Sequence, residues 1–138
     1  YLMKRRLARE IAMQTLFQLE FSDINAELAR QAVCQEREIN EQEVSLDYVR
    51  ILINGVTANK EAIDELICQH TNNWKIERMP AVDRNILRIA VYELLYSAET
   101  LTPNIIINEA IEISKIYGTD NSPKFINGIL GKLSNVKK

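Results

Sequence analysis

Four cations crowd the first ten residues, Lys4, Arg5, Arg6 and Arg9, against the single acid Glu10. On a helix, Arg5, Arg6 and Arg9 would fall within about 100° of arc, off the apolar stripe. Guanidiniums on the first turns repel one another and oppose the positive end of the helix dipole, so the cluster costs helix stability. Bound phosphates would offset that cost; a solvated basic face is the plainer reading of the same residues. A second candidate for anion binding is the loop Gly118-Thr119-Asp120-Asn121 running into Ser122-Pro123-Lys124-Phe125. A helix N-terminus presents unpaired N–H groups and partial positive charge, and Lys124 adds a full one. An ordinary capped helix start accounts for this loop equally simply.

Other residues that could carry chemistry lack partners at the spacing chemistry needs. The two cysteines, Cys34 and Cys68, form no C-x-x-C pair, and His70 is the only histidine, so neither a disulfide nor a metal site is expected. Gly55, Gly118, Gly128 and Gly131 build neither of the glycine-rich nucleotide-binding loops. Glu93 falls inside the stripe Val82, Ile86, Ile89 and Ala90, where a carboxylate must be paired, but its flanks Tyr92 and Tyr96 supply no second acid or base. A structural network with Arg88 or with Asn108 and Glu109 is the expectation, and no residue is assigned a catalytic role. Trp74 reads as a core or hinge anchor rather than a base-stacking platform. Arg84 and Arg88, four residues apart, either face a partner or pair with nearby acids. In the last helix Gly128 and Gly131 share a face with Lys124 and Asn127, so another backbone or a ligand approaches there, with helix packing the simpler cause.

The elements that must position these groups are helical throughout. The chain has 138 residues, 46% of them hydrophobic, with 17 basic and 19 acidic side chains and a net charge of −2. That composition excludes disorder, and a domain of this length buries roughly two thirds of its unfolded surface. No apolar run reaches the roughly 18 residues of a membrane span, and no apolar signal core follows Lys4-Arg5-Arg6, so the expected location is cytoplasmic. The net charge hides an asymmetry: residues 1–10 carry +3, and residues 20–47, with eight acids against Arg30 and Arg37, carry −6. Apolar residues recur at helical spacing from about Lys4 to Phe21, with Leu7, Ala8, Ile11, Ala12, Leu16 and Leu19 on one stripe. A second helix is expected after Ser22-Asp23, and a third after Ser45 that continues past an irregularity at 55–59 to about residue 70. Prolines announce the rest: Pro80 for a helix to about Ser97, Thr102-Pro103 for one ending at Gly118 as a left-handed cap, and Ser122-Pro123 for the last, ending near Ser134.

Taken in order, several of these segments resemble the NusB family of transcription antitermination factors. The likeness rests on Asn73-Trp74, on the run Val82-Asp83-Arg84-Asn85-Ile86-Leu87-Arg88-Ile89-Ala90-Val91-Tyr92-Glu93-Leu94, and on Pro103 followed by Ile107-Asn108-Glu109-Ala110-Ile111-Glu112-Ile113. Tyr117-Gly118 through Ser122-Pro123-Lys124-Phe125-Ile126-Asn127-Gly128-Ile129-Leu130, and the basic head with Ala8-Arg9-Glu10 and Leu16-Phe17-Gln18, complete it. The resemblance covers nearly the whole chain and is weakest between residues 22 and 45.

It implies one all-α domain over residues 1–138, with six to seven helices in two subdomains, 3–72 and 73–138, packed roughly perpendicular. It also implies a non-catalytic protein without cofactor that binds the boxA element of ribosomal-RNA leader transcripts. The implied partners are the small-subunit ribosomal protein NusE and the RNA polymerase antitermination complex. Position by position, Lys4, Arg5, Arg6 and Arg9 match the family's arginine-rich RNA-binding head. Thr119, Asn121, Ser122 and Lys124 match its second RNA-contacting segment, while Asp83 and Arg84 match the region that faces NusE. Asn121 stands where an acid is common in the family, which alters the charge of that loop. Two other readings stay open at this point. One is a helical regulatory module related to ribosomal-RNA cytosine methyltransferases, which requires a glycine-rich cofactor domain and a catalytic cysteine downstream. The other is a protein-only interaction module, a homodimer that hides the basic head.

Overall fold

A computed structural model describes the backbone of residues 2–40, 45–72, 75–98 and 101–136 and the side chains of 5–40, 45–72, 75–98 and 101–134. The side chain of Lys4, and Asn73 and Trp74 entirely, lie outside the described residues. Seven α-helices are present among them: α1 Leu2–Glu20, α2 Ala26–Glu36, α3 Leu46–Ala58, α4 Lys60–Gln69, α5 Ala81–Leu95, α6 Pro103–Tyr117 and α7 Ser122–Val136. A 3₁₀ turn, Ile76–Arg78, precedes α5. No strand occurs among the described residues, so the all-α expectation is met.

The chain forms two compact units, residues 1–54 and 55–138. In the first, α1 packs on α2. Its buried apolar set is Ala8, Ile11, Ala12, Met13 and Leu16 from α1, Ala29 and Val33 from α2, and Val49 and Leu52 from α3. Ala8, Ile11, Ala12 and Leu16 are those of the expected stripe, because a 3.6-residue period keeps them on one side; Met13 is buried in addition, and the expected Leu7 and Leu19 are half-buried at its edge. The Ser22-Asp23 start signal is not used. Asn25 caps α2 instead, its Oδ1 accepting the Leu28 N–H at 2.9 Å from an extended backbone (φ −74°, ψ 161°).

In the second unit α5 is central, packed by α4, α6 and α7, and ten of its fifteen residues are buried. A helix enclosed to this degree has no wide polar face, so Asp83, Asn85, Arg88 and Glu93 are buried with the aliphatics and must find internal partners. Arg88 finds Asp64 of α4, with Nε to Oδ1 at 2.8 Å and Nη2 to Oδ2 at 3.0 Å, and also donates to Asn85 Oδ1 at 3.0 Å. This bidentate fork is the geometry in which a guanidinium satisfies a carboxylate most completely. The α3–α4 break falls at Asn59, whose Nδ2 donates to the Gly55 carbonyl at 2.8 Å and so satisfies an acceptor at the broken helix end. Gly55 itself is required by packing, because the Tyr92 ring occupies the space a Cβ would take. Thr102 and Pro103 open α6 as expected, whereas Pro80 occupies the N-cap of α5 rather than its first turn.

Candidate nucleic-acid interface

The basic head is part of α1 in the first unit. The i, i+4 spacing of Arg5 and Arg9 brings both guanidiniums to one aromatic ring, that of Tyr48 at the start of α3. Their carbons stand 4.3 Å and 5.9 Å from its centroid, within the range of a cation–π attraction. The self-repulsion inferred from sequence is therefore relieved in part inside the chain. Arg9 is only 3% exposed, so it belongs to the fold's interior, while Arg5 and Arg6 are half-buried and reach the surface. Glu10 accepts from Arg37 Nη2 at 3.0 Å, and Arg37 Nη1 donates to Gln14 Oε1 at 3.0 Å, tying α1 to the end of α2.

In the acidic stretch of the same unit, Glu27 accepts from Arg30 Nε at 2.7 Å and from Arg50 Nη2 at 3.2 Å. The hydrogen bonds of Arg50, then those of Arg30, hold its carboxyl below the ordinary glutamate value. Phe17, Phe21, Ile24 and Leu28 are exposed, with the Phe17 and Phe21 rings 5.1 Å apart. Sequence reading passed over this apolar patch; the signal for it was Phe21 following Phe17 at the end of the helical period.

In the second unit the loop between α6 and α7 is tightly organised around Ser122, which is 1% exposed. Its hydroxyl donates to Asp83 Oδ1 at 2.7 Å, and its oxygen accepts the Thr119 N–H at 2.9 Å. The Ser122 N–H returns a bond to the Thr119 carbonyl at 3.1 Å. Gly118 does not adopt the expected left-handed cap: its backbone is extended, with φ −94° and ψ −165°. Glycine is needed there because a Cβ would stand 2.5 Å from Ser122 Oγ and 2.9 Å from the Ser114 carbonyl. Thr119, Asp120, Asn121 and Lys124 are exposed around this buried anchor. Asp83 is 4% exposed, and burial pushes its carboxyl above the ordinary aspartate value, with the Ser122 bond opposing the shift. Arg84, beside it, is half-buried and donates to the Met79 carbonyl at 2.7 Å.

Lys124 also borders a cleft of about 500 Å³ between the end of α4, at His70 and Asn72, and the face of α7 carrying Asn121, Phe125, Gly128 and Lys132. His70 Nδ1 stands 2.8 Å from the Leu66 carbonyl and, since a carbonyl only accepts, donates to it. Nothing comes within 4 Å of a Cβ built on Gly128 or Gly131, which corrects the helix-packing reading of those glycines: the face is open. Asn72 and Lys132 were not singled out from sequence, and His70 was weighed there only as a metal ligand. Among the described residues no group of three His, Cys, Asp or Glu could hold a metal ion, and no helix is long and apolar enough to cross a membrane.

The family model of NusB matches residues 6–135 of this chain. A transcription antitermination protein NusB of Bacillus cereus is 49% identical over 135 residues, covering 98% of each chain. That of Bdellovibrio bacteriovorus is 45% identical over 129 residues, covering 94% of this chain and 93% of the relative. Among solved structures, T. maritima NusB superposes with a TM-score of 0.82 at 38% identity, covering 95% of this chain and 90% of its own. The antitermination factor NusB, solved with NusE and double-stranded RNA, gives 0.84 at 26% identity over 99% of both chains. The family match over residues 6–135, the sequence identity along nearly the entire length and the structural superposition agree, and the chain belongs to the NusB family.

Proposed function

We propose that this protein is a non-catalytic, cytoplasmic RNA-binding antitermination factor that recognises boxA RNA together with NusE in the RNA polymerase antitermination complex. The observation that carries the reading is the basic head itself: Arg5 and Arg6 reach the surface of α1, with Arg5 and Arg9 gathered over the Tyr48 ring. Membership of a family in which one NusB was solved with NusE and RNA supports it. Lys4, Arg5 and Arg6 are assigned to phosphates, with Arg9 holding the head against Tyr48 and adding its field from below. Thr119, Asn121 and Lys124 form the second contact segment, built on Ser122. The first turn of α5, with Arg84 at its surface and Asp83 behind it, is assigned to NusE.

Three phosphate contacts from the head to a single strand give a log–log salt slope of about −2, so RNA binding by this chain alone is weak and strengthens when a second basic partner is linked to it. The test is a titration of boxA-like and scrambled RNA, with and without NusE, at several salt concentrations. Replacing Arg5 and Arg6 by Ala removes two contacts and is expected to reduce the slope by about 1.4. An unchanged slope in the folded variant, or equal affinity for both RNAs in the presence of NusE, defeats the assignment.

A further inference from the structure

Asp83 opens α5, where the helix dipole favours an acid, yet its side chain is turned inward to a residue 39 positions away in sequence. A hydroxyl has one proton and two lone pairs. Because Asp83 Oδ1 takes the Ser122 proton at 2.7 Å, the Ser122 lone pairs are left for the Thr119 N–H at 2.9 Å. Among the described residues, the second acceptor within reach of that hydroxyl is Thr119 Oγ1, at 3.3 Å. Without Asp83 the proton is free to turn towards Thr119 Oγ1, and the orientation that aims a lone pair at the Thr119 amide is no longer fixed. The reciprocal bonds that close residues 119–122 therefore depend on a carboxylate outside the loop.

We infer that Asp83 is a positioning residue for the 119–122 loop, setting through Ser122 the arrangement in which Thr119, Asn121 and Lys124 meet an RNA strand. The inference rests on the reading above that this loop contacts RNA. A buried acid answered by one neutral donor is a poor device for stability alone, since a neutral donor compensates a desolvated carboxylate incompletely. Its close fit with Gly118, which leaves no room for a Cβ beside Ser122, shows the same demand for one loop geometry.

The test uses the full chain, without NusE, and a short boxA-like RNA. Asp83→Ala is expected to speed hydrogen exchange of the Thr119 amide and to weaken RNA binding, each roughly tenfold, the equivalent of one hydrogen bond's contribution. Asp83→Asn keeps an acceptor oxygen for Ser122 and is expected to recover most of both losses. Lys124→Ala, titrated alongside, tests the underlying reading: if it leaves RNA affinity unchanged, the loop is not an RNA contact, and the Thr119 amide still judges Asp83. Should Asp83→Ala fail to fold, Ser122→Ala is expected to produce the same exposed Thr119 amide and weakened binding. A Thr119 amide unchanged in the folded variant overturns the inference. So does an unchanged RNA affinity where Lys124→Ala weakens it, or an Asp83→Asn variant that binds as poorly as Asp83→Ala with its Thr119 amide intact.

Discussion

Three glycines in or beside the last two helices are expected to respond to alanine in opposite directions. At Gly118 the backbone (φ −94°, ψ −165°) is open to any L residue, so the substitution carries no conformational strain. It gains about 0.4–1 kcal/mol by restricting the unfolded chain. Against that, the new Cβ would stand 2.5 Å from Ser122 Oγ, 2.7 Å from Ser122 Cβ and 2.9 Å from the Ser114 carbonyl oxygen. None of these atoms is the tip of a flexible side chain: Ser122 is 1% exposed and held by Asp83, and Ser114 presents backbone that accepts the Gly118 N–H at 2.9 Å. Overpacking of this kind costs about 1–3 kcal/mol, and disturbing the Ser122 bonds adds about 1 kcal/mol. Gly118→Ala is therefore destabilised by about 1–3 kcal/mol, a melting temperature lower by roughly 4–10 °C for a domain of this size. At Gly128 and Gly131 a Cβ meets nothing within 4 Å, and both lie inside α7. Each alanine is expected to stabilise by about 0.5–1 kcal/mol, raising the melting temperature by roughly 2–4 °C. Thermal and urea unfolding of the three single variants decide the matter. A Gly118→Ala variant as stable as the parent would refute the close approach at Ser122, and losses at both Gly128 and Gly131 would refute the open face.

Asp64→Ala removes the carboxylate of the bidentate fork to Arg88, whose side chain is 5% exposed; urea unfolding is expected to show a loss of about 3 kcal/mol, and a loss below 1 kcal/mol would rule out the buried fork. Two carboxylates set opposite trends of stability with pH. Glu27 is held below its ordinary 4.5 in the folded state, so the unfolded chain takes up protons first; its contribution is present above that value and is lost as pH falls through the folded value. Asp83 is held above its ordinary 3.8, so the folded chain binds the proton more tightly, and stability falls as pH rises from 3.8 through the folded value. Denaturant midpoints across pH for Glu27→Gln and Asp83→Asn should flatten the first and the second trend respectively, and a Glu27→Gln profile parallel to the parent's would exclude the first linkage.

Local signals in the chain located most of the helices. The start of α6 lies where the fixed φ and missing N–H of Pro103 place it, and the break at Asn59 lies where its side chain satisfies the Gly55 carbonyl, both effects acting within one turn. The same local signal misled where two candidates stood close together: Asn25 displaced Ser22-Asp23, and nothing within the segment ranks them. The candidate site was legible as residue types, a cluster of arginines and a loop ahead of a lysine, and the family resemblance named both.

Which of those side chains reach the surface was decided by tertiary structure. Arg9 is interior because Tyr48, 39 residues on, offers its ring, and Glu10 is drawn to α2 because Arg37 lies beside it. Gly118 is glycine for the sake of Ser122, and Ser122 owes its orientation to Asp83 on another helix. Gly128 and Gly131, read as packing sites, face open space. Periodicity and caps are properties of a few neighbouring residues and are written in the sequence; burial, ion pairing and the direction of a hydroxyl proton depend on what a distant segment brings alongside, which helical spacing alone does not encode.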